Sequence, residues 1–582
     1  MKRTIAAFFT ALLAVVGLAA CSAPSGIISG TQVNLGQIGE INSINTDVAG
    51  AIGGEKNAAE LANLTTANFY QQDATGSLVA NSLLGKVEVV SASPLKVKYT
   101  LADGASWSDG TAIDAADLAL SLAAGSSAAG VNFYSIRSGT GLAFASLAEK
   151  PKAGDNSITV AYSRPVADYL NAITLPVAAH TLGRLIDSSL NADSAKQMVL
   201  DAVNSADVAK LTTIAEAYRS SFSTWSGLRD EKLFVSSGAY AVEQSNGKEA
   251  LKLKAVENYK LGPAPTIERI TLTYFIDSAT AIAAMSAGKI DATDTADSGL
   301  VTLADILGLV GQIKDQNVTP AIRAGSTAEQ VVFNFKPQSR FSSERNGGDA
   351  AKALSLRKAF MNLVPRGRIV SGLSTAYKVS LVDSLVFQSS ANYYKASSQD
   401  NGLSEYLFQD VEKASELFDL TGVARPMKVR VAYDLNNPRS QAEWILLRER
   451  AASAGFNLKA VEAADFEAAL KSGNFEIYLG ARPIVSVPGQ NVFSLTSDSF
   501  VGYANEKVQK SLTAFAAAGD EQARGAALKQ IDALLVADAY GMPLYEVASM
   551  VVYTDRVSGF VVAPRAESVT WGYQNWSIKP KS

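Results

Sequence analysis

Two separated stretches of this sequence share one local grammar, and a single core cannot hold both. In "ERITLTYFIDSATAIAAMSAGKIDATD", an alternating strand from Ile270 to Ile276 reaches Asp277 or Ser278 as the N-cap of an apolar helix ending at Gly288, and a short strand follows. In "MKVRVAYDLNNPRSQAEWILLRERAASAGFNLKAVEAADFEAALKSGNFEIYLG", a strand runs through Tyr433. Asn437 then caps a helix opening on Pro438, with Trp444, Leu447 and Ala451 on one face. Gly455 ends that helix in a left-handed cap, a strand follows to Val461, Asp465 is placed to cap a short helix, Gly473 stops it, and "FEIYLG" is a third strand. The first stretch reads as βαβ and the second as βαβαβ, so parallel strands are expected in two lobes, with ligands favouring the crevice between them. Around them lie strand-rich parts such as "GKVEVVSASPLKVKYTL" and "NSITVAYS", and a Ser/Ala-rich helical region from about Asp193 to Thr224.

The front of the chain is of another kind. Lys2 and Arg3 precede "IAAFFTALLAVVGLAA", in which Thr10 is the one polar residue. This is a signal-peptide core. As a helix it covers roughly 24 Å, short of the ~30 Å hydrocarbon layer, so a cleaved leader is expected rather than a permanent span. Ala19 and Ala20 stand directly before Cys21, the one cysteine in the chain. That stretch, "LAACSAPSG", resembles the bacterial lipobox, which implies a diacylglycerol on the Cys21 sulfur and Cys21 as the new N-terminus. The alternative is an ordinary secretory leader followed by an unmodified cysteine. Two acyl chains anchor stably where one binds only marginally. With no second cysteine an intramolecular disulfide is excluded, and the fold rests on its cores, for which 47% hydrophobic residues are ample. "SAPSGIISGTQ" reads as a flexible tether. Loss of Lys2 and Arg3 makes the net charge of −4 more negative still, which disfavours a nucleic-acid partner.

The residues needed for most enzymatic sites are missing. His180, in "LPVAAH", is the only histidine, so a Ser-His-Asp or Cys-His site would have to be built on it. There is no G-x-S-x-G elbow and no H-E-x-x-H, and one His with one Cys makes no metal cluster. The Gly-Lys pairs at 85, 247 and 288 lack the rest of a phosphate loop. "SPLK", Ser93 to Lys96, matches S-x-x-K, but a strand follows it, so it reads as strand-entry punctuation. Hydrolysis by paired carboxylates, or by His180, is the enzymatic alternative.

"YTLADGASWSDGTAIDAADLALSL", Tyr99 to Leu122, is more specific. A strand ends at Asp103-Gly104, Trp107 is buried, Asp109-Gly110 makes a tight turn, and Asp114 caps a helix whose third residue is Asp117. Both acids sit at the positive end of the helix, which suits a structural role. The stretch resembles the hallmark of the extracellular solute-binding protein family 5, which serves oligopeptide, dipeptide and nickel ABC importers. The matching residues are Tyr99, Leu101, Gly104, Trp107, Ser108, Asp109, Gly110, Thr111, Ala115, Asp117 and Leu118. Further stretches resembling that family follow in its order: "SSGAYAVEQ", "KAVENYKLGPAPTIERITLTYFIDSATAIAAMSAGKIDATD", "VVFNFKPQ" with "LSLRKAFMNLVPRGRIV", "DVEKASELFDLTGV" and "LLVADAYGMPLYE".

The resemblance implies an α/β, bilobal periplasmic-binding-protein-like fold of class II, cluster C type, with an extra subdomain in the first lobe. The expected division is a signal peptide (1–20), a lipidated tether (21–31), lobe I (32–85 and 195–325) with its extra subdomain (86–194), lobe II (326–544) and a C-terminal return to lobe I (545–582). It implies a membrane-tethered, extracytoplasmic receptor that delivers a small-molecule or oligopeptide ligand to ABC permease subunits. Such a receptor works as a monomer, without cofactor, metal, nucleic acid or catalytic residue. The alternatives from other classes are the secreted hydrolase and a signalling or chaperone lipoprotein reusing the fold. Where the family's peptide binders have an acid-rich segment meeting the ligand's ammonium group, this chain has "LGARPIVSVPGQNVFSL", with no acid between Arg482 and Phe493. Arg482 is suited to an anionic ligand group or to an inter-lobe salt bridge. Tyr70 and Asn491 lie in stretches resembling cleft-lining parts of the family, and Asn45, in the loop after the first strand, is a fourth candidate.

Overall fold

In the computed structural model of the chain, the two longest described strands, Val318–Phe333 and Gly541–Thr554, lie antiparallel along their whole length. The structure describes residues 26–48, 54–73, 78–137, 141–163, 166, 169–224, 233–295, 302–314, 317–386, 398–461, 470–483, 501–518, 521–562 and 568–578. The main sheet runs in the order Phe456–Ala460, Met427–Ala432, Ile477–Pro483, Val318–Phe333, Gly541–Thr554, Ala292–Thr295, Ile28–Ile38, Ile267–Phe275, Ala250–Ala255 and Tyr240–Ser245. Ser380–Leu381 adds to Gly541–Thr554.

The two long strands join two parallel sets. On one side Ile28–Ile38 is flanked by Ile267–Phe275 and Ala292–Thr295, both parallel to it. Helix Ser278–Ser286 makes the crossover, so the expected βαβ unit is present, with Asp277 rather than Ser278 as its N-cap and Gly288 at φ +68°. On the other side Met427–Ala432 lies between parallel Phe456–Ala460 and Ile477–Pro483, the expected second unit. Its first helix is shorter than the sequence indicates, spanning Pro438–Arg448. Ala451 is still buried in the apolar stripe, but it lies in turns that return the chain to the sheet, where Phe456 N bonds Ala451 O and Gly455 has φ +92°. The short helix expected after Asp465 lies outside the described residues.

Lobe II packs Phe333, Phe341, Phe360, Phe418 and Phe456 edge to face in one core. Lobe I carries a separate four-stranded antiparallel sheet, ordered Gly85–Ala92, Leu95–Leu101, Ser157–Tyr162 and Ala145–Leu147. "SPLK" forms the turn and start of its hairpin, as expected of punctuation. Helix Ala115–Ser126 covers this sheet, and helices Ala192–Ser205 and Val208–Ser220 fill the expected Ser/Ala-rich region.

Between the lobes the strand pairing breaks register. Ala324 opposes Ala548 and Ala328 opposes Glu546, so four steps on one strand match two on the other. Such a bulge bends and twists a ladder. The expected lobe boundaries at 325/326 and 544/545 both fall inside the two long strands. At Gly325 an added Cβ would lie 1.9 Å from Val547 O, so only glycine fits the close approach. Gly325→Ala is expected to cost about 1–3 kcal/mol of stability, read from urea unfolding, because the strands must separate to admit one methyl group.

Candidate functional site

Where the two lobes meet, the helix expected at Pro438 supplies the first groups. The Asn437 side chain accepts from the backbone N–H groups of Arg439 at 2.9 Å and Ser440 at 3.4 Å, which fixes the first turn. Ser440, Glu443, Trp444 and Leu447 then face inward, all buried. A glutamate in that stripe needs polar partners, because burying it alone is costly. Tyr545 O–H donates to Glu443 Oε1. Arg439 Nη2 stands 3.3 Å from Glu329 Oε2, and its Nε 3.9 Å from Glu443 Oε1.

Glu329, Glu443 and Tyr545 have no solvent exposure, and Arg439 has 4%. Two carboxyl groups thus share one guanidinium out of contact with bulk solvent. Burial first, and then the charge of Glu329, holds the Glu443 carboxyl well above the usual carboxylate range. Burial likewise raises the Tyr545 phenol.

Strand register places further charges on the same crossing. Glu329 opposes Tyr545, and one step along, Ala328 opposes Arg482 on one side and Glu546 on the other. Directly opposed residues share a sheet face, so Arg482 and Glu546 flank an alanine on the face away from Glu329. On the lobe I side of the bulge, Arg323 forms a buried ion pair with Asp294 and donates from Nε to Ser549 Oγ at 2.9 Å.

The residues expected to meet a ligand lie in different places. Arg482, half-buried, is at this crossing. Tyr70 is half-buried in the short strand Tyr70–Gln72, packed on the subdomain core, and the next-but-one carbonyl, of Gln72, accepts from Trp571 Nε1 at 3.1 Å. Asn45 is 1% exposed, and both ends of its amide are engaged: Nδ2 donates to Tyr218 O at 2.7 Å, and Oδ1 accepts from Asp47 N at 3.1 Å. As placed, it fastens the loop beside Asp47, which Arg137 grips with two 2.7 Å bonds. Cys21 and Asn491 lie outside the described residues. Glu329, Arg439, Glu443, Tyr545, Asp294 and Arg323 went unmarked in the sequence. Only the Arg439/Glu443 pair left a local trace, as a charge standing on an apolar helical stripe.

The hallmark stretch is built as a structural joint. Trp107 is buried, and Asp114 caps helix Ala115–Ser126 in a reciprocal box with Asp117. Asp117 also accepts from Ala179 N at 2.9 Å, and Lys196 Nζ lies 3.1 Å from Asp114 and 3.5 Å from Asp117. The next residue, His180, has Nε2 2.9 Å from Asp109 Oδ2 and its ring edge-on to Trp107. Burial alone would raise the Asp109 carboxyl, but the His180 hydrogen bond, with those of Thr111, brings it down to about 2. Among the described residues no three His, Cys, Asp or Glu side chains are grouped to hold a metal ion, and no helix is long and apolar enough to cross a membrane.

Comparison with known proteins gives a consistent setting. The sequence profile of the bacterial extracellular solute-binding proteins, family 5, middle part, matches residues 79–503. An uncharacterized lipoprotein of Mycobacterium leprae is 24% identical over 601 residues, covering 99% of this chain and 98% of its own. One of Mycobacterium tuberculosis is 23% identical over 594 residues, covering 97% and 96%. Among solved structures, a periplasmic EDTA-binding protein, EppA, superposes with a TM-score of 0.71 at 17% identity, over 94% of this chain and 96% of that one. NikA of Brucella suis in complex with Fe(III)-EDTA gives 0.68 at 15%, over 94% and 100%. The oligopeptide-binding protein AppA of Bacillus subtilis in complex with a nonapeptide gives 0.65 at 14%, over 94% and 99%. The bilobal architecture is common to these folds.

A pH profile tests the joint at Asp109. A carboxyl held low in the folded state contributes stability above its unfolded value near 3.9, and that contribution is lost as the pH falls through about 2. Wild type is therefore expected to exceed Asp109→Asn in urea stability by a constant margin above about pH 4, with the margin shrinking towards about pH 2.

Proposed function

The chain belongs to the bacterial extracellular solute-binding proteins of family 5, and on that premise we propose that it captures a peptide-like or other small organic solute between its two lobes and hands it unchanged to an ABC import permease. The observation that carries the reading is the crossing itself: two strands, paired end to end, connect two α/β lobes through a bulge. A ligand that touches both lobes shifts such a pair towards a closed arrangement, and the permease reads that arrangement. Lipidation at Cys21 tethers the receptor on the extracytoplasmic face of the membrane, where it works as a monomer. Lobe I takes 32–325 and the C-terminal return, and lobe II takes 326–544.

Arg482 is the ligand contact this reading favours. It is half-buried at the crossing, and its fork suits a carboxylate. Neighbours of this fold described with EDTA, Fe(III)-EDTA and a nonapeptide support a solute rich in carboxylate or amide groups. Tyr70 is a second contact, from lobe I. Asn45 serves the site indirectly by holding its loop.

Mass spectrometry of compounds released from the purified protein is expected to yield one class of small solute. Adding that solute back is expected to shorten the distance between lobes without consuming it. Arg482→Ala is expected to weaken its binding about tenfold, the effect of losing one charge-assisted contact at ~1.4 kcal/mol. Chemical turnover of the solute with unchanged lobe distances overturns the receptor reading.

A further inference from the structure

The carboxyl groups of Glu329 and Glu443 face the same guanidinium, 3.3 Å from Arg439 Nη2 and 3.9 Å from Arg439 Nε, with no solvent exposure, and two such groups can share a hydrogen bond only when one of them holds a proton. Their positions give that proton a mechanical meaning. Glu329 is on the strand that crosses between the lobes, one residue past the bulge, Tyr545 is opposite it on the second crossing strand, and Glu443 and Arg439 are on helix Pro438–Arg448 of lobe II. We propose that these four residues form a proton-linked lock, in which one proton held between Glu329 and Glu443 keeps the lobe II helix docked on the strand crossing and its loss loosens the helix and changes the angle between the lobes. The proposal rests on the hinged two-lobe reading above and adds to it a control by pH.

The surrounding charges leave the proton as the balancing element. On the helix itself, Arg439 is the one cation facing the pair, and Arg448 stacks on Trp444 instead. Along Val318–Phe333, the next cation, Arg323, is committed to Asp294. From Gly541–Thr554, Tyr545 donates to Glu443 while Glu546 is on the opposite face. From Ile477–Pro483, Ala481 opposes Glu329, and Arg482 is turned to the Glu546 face. Helix Arg366–Tyr377, packed against Pro438–Arg448, has its cations engaged elsewhere: Arg366 with Asp383 at 2.8 Å and Arg368 with Glu449 at 2.9 Å. With both carboxyl groups ionised, two negative charges would face one guanidinium at zero exposure, and their repulsion acts directly between helix and strand. With one proton present, Tyr545, Glu443, Glu329 and Arg439 form a connected hydrogen-bonded chain.

The test is made without any ligand, so that it stands apart from the identity of the solute. In the full chain carrying Cys21→Ser, cysteines replace the exposed residues Lys260 and Asn457, one in each lobe, and spin labels report the inter-lobe distance from about pH 5 to about pH 9. Wild type is expected to pass between two distance distributions with a one-proton slope, tenfold in their ratio per pH unit. Glu443→Gln, whose amide N–H donates to Glu329 as the proton would, is expected to stay in the low-pH distribution throughout. A distribution that ignores pH, or a Glu443→Gln variant that titrates as wild type does, overturns the proposal. Should the variant fold poorly, infrared spectra of the wild type with carbon-13 glutamate decide: a protonated glutamic-acid carbonyl band at neutral pH is expected, and its absence overturns the proposal. Failure of this lock with a solute still bound leaves the receptor reading intact, whereas lobe distances that respond to neither overturn both.

Discussion

The pairing of Val318–Phe333 with Gly541–Thr554 is the constraint on which the rest of the structure depends. Both strands lie in the one main sheet, where Gly541–Thr554 pairs with Ala292–Thr295 on the lobe I side and Val318–Phe333 pairs with Ile477–Pro483 on the lobe II side. A one-residue slip would turn every side chain on these strands to the opposite face. Glu329 would leave Tyr545 and the helix carrying Glu443, and Arg323 would leave Asp294. The bulge at 324–328 and the close approach of Gly325 to Val547 O concentrate the bend at one point while register is kept on both sides.

Around that crossing the protein buries charge in small, locally matched groups. Arg323 with Asp294, and Arg439 with Glu329 and Glu443, each place opposite charges within ion-pair distance at low exposure, where an unmatched charge would be costly. The second group has one acid more than it has cations, with Tyr545 O–H donating to Glu443. The hallmark stretch of lobe I follows the same logic in a static form. Lys196 answers Asp114 and Asp117, and Asp109 meets His180, so the acids that stand out in the sequence fasten helices Ala115–Ser126 and Ala179–Ile186 together.

Legibility in the sequence followed the range of each interaction. The caps at Asp114, Asp277 and Asn437 could be read because a cap acts within four residues, and the two parallel units followed from caps, glycine stops and apolar period. The helix after Pro438 was read too long because the apolar stripe continues to Ala451 through turns that bury the same face without helical hydrogen bonds. His180 stood out as the only histidine, but its partner, Asp109, is 71 positions away and carries no mark of the pairing. Asn45 read as a cleft residue from its loop, whereas its amide is spent on backbone groups that only the folded loop supplies.

What the sequence determined by itself was local and cumulative: an apolar stretch ahead of a lone cysteine, two α/β units that need separate cores, the capped helices, and a succession of motifs placing the chain in its family. What only the tertiary structure decided was which distant strands share a register, and through that which charges meet. The physical reason is that caps and periodicity are set by neighbours along the chain, while a buried carboxyl finds its partner across a ladder joining residues more than 200 positions apart, whose pairing no local pattern records.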